Sequence, residues 1–272
     1  IGVDVTWEEL RTRYDAVVVA TGATVPRDIA IPGRDLGGVE FAMDYLVASN
    51  KAVAGDDVPD QVTAAGKHVV VIGGGDTGAD CVGTAHRQGA LSVTNLAIGT
   101  QPAASRTDAQ PWPTTPTIFE VQSAHEEGGE RVYLASTVEF LGDDQGRVRA
   151  LRVAETEYVD GRRVPKGGTE REIPADLVLI AMGFTGPERH SLETQLGVRF
   201  TSGGLIERDD HYAATEPSVY AAGDAGRGQS LIVWAIAEGR AAAARVDAFL
   251  MGESALPVPV GPRDIAIGLH PA

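Results

Sequence analysis

The stretch that decides the fold is Lys67-His68-Val69-Val70-Val71-Ile72-Gly73-Gly74-Gly75-Asp76-Thr77-Gly78. Lys67 to Ile72 closes on four apolar residues and reads as a strand. Gly73, Gly75 and Gly78 then stand at G-x-G-x-x-G spacing. A helical pattern runs from Thr77 to about Gln88 and is stopped by Gly89, and a second strand runs from Ser92 to Ile98. Strand, glycine turn, helix and strand within about 30 residues is the context that gives this motif its meaning. Gly73 allows the tight turn, Gly75 lets backbone approach a pyrophosphate, and Gly78 lets helix pack on strand. An anion would sit on the free N–H groups and positive dipole end of the helix.

Two flanking segments echo each other. Tyr14 to Gly22 reads Tyr-Asp-Ala-Val-Val-Val-Ala-Thr-Gly, and Ala175 to Gly183 reads Ala-Asp-Leu-Val-Leu-Ile-Ala-Met-Gly. They align without a gap, pairing Asp15 with Asp176, Ala20 with Ala181 and Gly22 with Gly183. Each is the near-continuous apolar run of a parallel strand buried on both faces. Each ends in a glycine, where backbone must approach something bulky. Two such runs predict two domains of one kind.

Between the glycine unit and the second echo lies a proline-rich stretch, Gly99 to Thr117, with Pro102, Pro111, Pro113 and Pro116; it reads as a long loop. Loops of that length in a compact domain are often functional. Thr117 to Glu127 predicts a helix ended by Gly128-Gly129. His125, Glu126 and Glu127 then form its solvated last turn rather than an acid–base group. Arg131 to Val164 alternates apolar and polar in three runs, turned at Gly142 to Gly146 and at Asp160-Gly161, and predicts a small antiparallel meander. Residues 63–188 therefore make one complete nucleotide-binding domain.

In the last third, Pro217 to Ala222 is a short strand followed by Gly223-Asp224, and a helix runs from about Leu231 to Leu250. A strand ending in Gly-Asp ahead of a helix suits a dinucleotide's sugar and phosphate, with Asp224 accepting from a hydroxyl. The plain alternative for Asp224 is a turn aspartate.

Composition removes several classes. With 38 acidic and 23 basic residues the net charge is −15, which disfavours a nucleic-acid surface. No apolar run reaches the roughly 18 residues of a membrane-spanning helix, and Ile1 to Glu9 is no signal peptide. The one cysteine, Cys81, excludes an intrachain disulfide, a CxxC redox pair and a cysteine-held cluster, and suits a reducing, cytoplasmic setting. It reads as a small core residue.

These motifs together resemble the two-dinucleotide-domain flavoprotein reductases, and more narrowly the glutamate synthase small-subunit family. The likeness rests on Gly73 to Cys81, Ser123 to Arg131, Ala181 to Glu188, and above all the run Ala221 to Arg240, which contains Gly223-Asp224-Ala225-Gly226-Arg227-Gly228-Gln229-Ser230-Leu231-Ile232-Val233-Trp234. It extends from Tyr14 to about Gly252. The resemblance implies an α/β fold of two Rossmann-like domains, the NAD(P) domain inserted in the FAD domain, with a small antiparallel meander. The expected boundaries are 1–62 and 189–252 for the FAD domain, 63–188 for the NAD(P)H domain and 253–272 for a tail.

It further implies that NADPH gives hydride to FAD. Electrons then pass through iron–sulfur clusters to a glutamate synthase large (alpha) subunit, which makes glutamate from glutamine-derived ammonia and 2-oxoglutarate. Gly73, Gly75, Asp76, Thr77, Gly78, Ala181, Met182 and Gly183 are then assigned to NADPH. Ala20, Thr21, Gly22, Gly223, Asp224, Gln229, Ser230, Leu231 and Ile232 are assigned to FAD. The family's 4Fe-4S ligands and its first glycine fingerprint do not occur in this chain, so the intact polypeptide is expected to extend upstream. The second strand ends in Leu96-Ala97-Ile98-Gly99, with neither the Arg of NADP sites nor the acid of NAD sites. NADH therefore stays open, and Arg106 in the proline-rich loop is the candidate for a 2′-phosphate, against a solvated loop residue. Two further readings stay open: another acceptor of ferredoxin or dihydropyrimidine type, and a non-catalytic fragment.

Overall fold

The computed structural model describes residues 1–112, 114 and 116–265. Pro113 of the proline-rich loop and the tail from 266 onward lie outside the described residues. In chain order the elements begin α1 (Trp7–Arg13), β1 (Val17–Val19), β2 (Val25–Pro26), β3 (Val39–Phe41), α2 (Ala42–Ala54), β4 (His68–Ile72), α3 (Asp76–Arg87) and β5 (Ser92–Leu96). Then come α4 (Ser123–Glu126), β6 (Glu130–Val132), β7 (Ala135–Gly142), β8 (Val148–Val159), β9 (Arg162–Pro165), β10 (Arg171–Pro174), β11 (Leu177–Ile180) and β12 (Phe184–Gly186). The last are α5 (His190–Thr194), β13 (Val219–Ala221), α6 (Asp224–Arg227) and α7 (Ile232–Met251).

The chain divides into two compact units: Arg27–Gly183, and Ile1–Pro26 with Phe184–Ala272. The inserted unit is built on a five-stranded parallel sheet of order β3-β11-β4-β5-β6. Strand β4 shows why apolar runs make such a sheet. Val70 and Ile72 point into a core with Leu151 and Phe140 of the meander, while Val69 and Val71 point into a second core with Cys81 and Val82 of α3. Both faces are thus covered, as parallel sheets require. The meander is four-stranded, with β8 paired to β7, β9 and β10.

Three expectations are corrected here. The inserted unit begins at Arg27, not at 63, because β3 pairs with β11 in its sheet and α2 packs on it; no periodicity in 27–62 betrays that long-range pairing. The predicted helix over Thr117–Glu127 shrinks to Ser123–Glu126, since Thr117 to Gln122 runs back along the loop, with Phe119 N donating to Ala103 O. Arg131 belongs to β6, a parallel strand beside β5, and the meander starts only at Ala135.

The other unit pairs β1 with β13 in parallel, Val17 opposite Val219 and Val19 opposite Ala221. Its helix α1 opens on Thr6, whose side chain accepts from Glu9 N, and it buries Trp7. The Trp7 indole donates to Ser191 Oγ at 3.1 Å, fixing α1 to α5. Val19 is buried as expected, but Val18 is 42 % exposed, so β1 is not covered on both faces.

Candidate functional site

In the inserted unit the glycine turn is formed by backbone against backbone. Gly73 has φ +131°, and a Cβ there would lie 2.1 Å from the Ala181 carbonyl oxygen. A Cβ on Gly78 would lie 2.2 Å from the Gly73 carbonyl oxygen, so α3 can seat on the turn only without a side chain. Gly75 is different: nothing lies within 4 Å of its Cβ position, and no side chain caps α3. α3 therefore starts at an exposed Gly75-Asp76 step with no capping side chain, under the positive end of its dipole. This is the geometry of an anion cradle.

Ala181 closes the turn by donating its N–H to Ile72 O, and Gly183 (φ +82°) accepts from Arg27 N where the chain leaves the unit. Met182 packs its side chain against the meander-side core. Two neighbours were not read from the sequence. Asn95, buried in β5, donates through Nδ2 to Gly73 O at 2.7 Å and holds the turn from below. Gln122 donates to Asp76 Oδ1 at 2.6 Å, tying the loop to the start of α3. The available signal for Asn95 was an amide side chain in the strand Ser92-Val93-Thr94-Asn95-Leu96 that follows the glycine turn's helix.

Arg106 is exposed in its loop, where Nη1 donates to Gln110 O at 2.8 Å and to Thr114 O at 2.7 Å. His125 departs from the solvated reading: both ring nitrogens are buried without a hydrogen-bond partner, and burial, with Arg131 adding to it, depresses its pKa. Cys81 is fully buried, and burial, reinforced by Asp80, pushes its thiol up to about 12, so it is inert at neutral pH.

The other unit holds a cavity of about 330 Å³ at the carboxyl ends of β1 and β13. It brings together Ala20, Gly22, Gly223, Asp224, Ser230 and Ile232 of the sequence-derived set, and adds Val18, Ala222, Ala235 and Gly239. Thr21, Gln229 and Leu231 are not on its wall. Gln229 instead accepts from Phe184 N at 3.0 Å, and Leu231 begins α7 without offering a capping side chain. Burial raises the pKa of Asp224, with Glu238 pushing the same way and the Ser230 amide and Arg227 opposing.

What sequence reading missed is the support under this cavity. Glu238 of α7 is fully buried and takes four donors: Gly223 N (2.8 Å) and Arg208 Nη1 (2.8 Å) on Oε2, Arg208 Nη2 (2.9 Å) and Arg227 Nε (2.7 Å) on Oε1. One carboxylate in an otherwise apolar helix start, Ile232 to Ala237, was the visible signal. Its partners lie 11 and 30 residues away, where no local pattern points to them.

Two α/β units, each with a strand-end glycine turn beside an uncapped helix, define a dinucleotide-binding protein. The chain belongs to the pyridine nucleotide-disulphide oxidoreductase family, whose sequence pattern matches residues 3–239. It is 55 % identical over 267 residues to the glutamate synthase [NADPH] small chain of Mycobacterium tuberculosis, covering 96 % of this chain and 54 % of that protein. To the corresponding small chain of Bacillus subtilis it is 43 % identical over 272 residues, covering 94 % of this chain and 55 % of that one. The chain thus spans about half the length of the curated relatives it matches. Among solved structures it resembles Mycobacterium tuberculosis FprA in complex with NADPH, at TM-score 0.64 and 21 % identity over 94 % of this chain and 69 % of that one, a likeness of fold. Among the described residues no helix is long and apolar enough to cross a membrane, and no cluster of His, Cys, Asp or Glu is set to hold a metal.

Proposed function

We propose that this chain carries the NADPH site and part of the FAD site of a glutamate synthase small chain, passing reducing equivalents to a large subunit that makes glutamate. The observation that carries the reading is the pairing of an open α3 N-terminus in one unit with the Asp224 cavity in the other, each beside a parallel strand end. The names of the similar small chains support the choice of NADPH and of a large-subunit partner.

The residues fit both groups. The amides at Asp76 to Gly78 would hold the nicotinamide dinucleotide's pyrophosphate, which Gly75 lets approach because nothing fills its Cβ position. Ala181, Met182 and Gly183, at the end of the next strand, would lie on the nicotinamide side. Arg106 would answer the 2′-phosphate with the donors its loop carbonyls leave free. In the other unit Ala20, Thr21 and Gly22 would line FAD, Asp224 would accept from a sugar hydroxyl, and the first amides of α7 would favour negative charge on the flavin. Gly223, Gln229, Ser230, Leu231 and Ile232 would complete that side. When bound, the two cofactors supply the hydride chemistry, and the protein supplies position and field. Any 4Fe-4S cluster would be held outside this chain, and a cytoplasmic setting suits the partner.

The test is anaerobic reduction of the full-length flavoprotein by NADPH, followed at the flavin absorbance, and then glutamate formation on adding the large subunit. Bleaching without glutamate formation would point to a different acceptor. No bleaching by either nicotinamide nucleotide would end the reading.

A further inference from the structure

We propose that Glu238 is a positioning residue for the flavin dinucleotide: it clamps the Gly223–Asp224 turn so that Asp224 presents its carboxylate to the cavity. The inference rests on reading that cavity as the FAD site. Glu238 does not line the cavity, but Ala235 and Gly239 of the same helix do, as do Ala222, Gly223 and Asp224 of the turn. Its carboxylate joins these two walls from behind.

Each oxygen is fully used. Oε2 takes the Gly223 amide and Arg208 Nη1, and Oε1 takes Arg208 Nη2 and Arg227 Nε. The Gly223 amide is thereby committed to the protein, and Asp224 is left as the turn's polar group on the cavity. Gly223 needs this restraint because it sits at φ +67° and ψ −154°, a region only glycine enters readily. Arg208 Nη1 also donates to Ala221 O at 2.9 Å, so the end of β13 is fixed by the same guanidinium. Arg227, the last residue of the short helix α6 that Asp224 opens, lies over the Trp234 ring at 4.4 Å and donates to Asp264 O at 2.7 Å. One carboxylate therefore sets β13, α6 and α7 against each other.

Packing alone does not explain such a group. Ion triads of this kind are often no more stabilising than apolar residues of the same volume. Two guanidiniums on one carboxylate do, however, impose a direction on the backbone they hold, and fork geometry makes Arg suited to it. The arginines are 5 % and 12 % exposed at the side chain, so water does not loosen the arrangement.

The experiment measures FAD and NADPH affinity in the full-length protein for wild type, Glu238→Gln, Asp224→Ala and the double variant. Glutamine keeps the shape and one acceptor oxygen but loses the charge that orders both arginines. Glu238→Gln is expected to weaken FAD by about tenfold or more, roughly the effect of one charge-assisted hydrogen bond, and to leave NADPH within about twofold. The double variant is expected to bind FAD no more weakly than Asp224→Ala alone, because Glu238 acts through that carboxylate. A purely structural role predicts additive losses, and additivity overturns the proposal, as does unchanged FAD affinity in Glu238→Gln. Should that variant not fold, Arg227→Met, which leaves the Arg208 pair in place, must still weaken FAD by about threefold or more, and wild-type affinity there overturns the clamp. If Asp224→Ala alone leaves FAD affinity intact, it is the reading of the cavity that fails. If Asp224 matters and Glu238 does not, only the clamp fails.

Discussion

The turns at Gly73–Gly78 and at Gly223–Asp224 follow the same kind of strand and lead to helices without side-chain caps, but they are held in opposite ways. The first is shaped by what is missing: Cβ atoms at Gly73 and Gly78 would collide with backbone carbonyls at 2.1 and 2.2 Å. The second tolerates more space, since a Cβ on Gly223 would meet Ala235 Cβ at an ordinary 3.5 Å, and is held by the buried Glu238 with Arg208 and Arg227. The steric turn is shaped mainly by backbone, the Gly73 and Ala181 carbonyls, with the Asn95 amide holding it from below. The turn held by a charge clamp borrows its residues from 208 to 238.

The contrast breaks first, and with the largest effect, at Gly73. Gly73→Ala puts its Cβ against Ala181 O at 2.1 Å and at φ +131°, so it is expected to destabilise the protein by about 3 kcal/mol or more. Gly75→Ala, with open space at its Cβ and φ −91°, should change stability by less than about 1 kcal/mol while weakening NADPH. Chemical denaturation together with nucleotide titration separates the two; equal stability losses would mean the turn is not sterically built.

For the second turn, truncation of the clamp to Glu238→Ala leaves two buried guanidiniums unpaired and should cost about 3–5 kcal/mol. A denaturation midpoint near that of wild type would show that water or a neighbour satisfies them. On the proposed reading, in which its carboxylate accepts from the ligand, Asp224→Ala should weaken FAD by about 1.5–3 kcal/mol with NADPH barely changed. Arg106→Ala sharpens the first site in the same way. It should weaken NADPH by about 1.4–2.8 kcal/mol and leave NADH alone, and equal losses for both nucleotides would remove Arg106 from the site.

The smallest effect is a pH dependence. Burial raises the Asp224 pKa above its ordinary 3.8, so its ionised form works against folding. The stability that the protonated form contributes is present below pH 3.8 and is lost as pH rises through the raised folded-state value. Asp224→Asn should therefore raise the melting temperature of the ligand-free protein slightly at neutral pH, and the gain should vanish below pH 3.8. Such a gain, coupled to weaker FAD, is the mark of a residue kept for binding at some cost in stability. A constant offset across pH would show that the carboxylate's charge is not the cause.

The sequence by itself determined what depends on neighbours in the chain. The apolar runs at Val69–Ile72 and Leu177–Ile180, the glycine spacing at 73, 75 and 78, and the Gly223-Asp224 turn before a long helix were all legible, because steric and periodic constraints act over a few residues. The tertiary structure alone decided what depends on distant pairing. It moved 27–62 into the inserted unit through the β3–β11 ladder, and shortened the helix before Gly128 because Thr117–Gln122 lies along its own loop. It also turned Glu238, Arg208 and Arg227 from three unremarked charges into one clamp. Hydrogen bonds and ion pairs between remote segments leave no period in the sequence, because the chain's path, not its local spacing, brings them together.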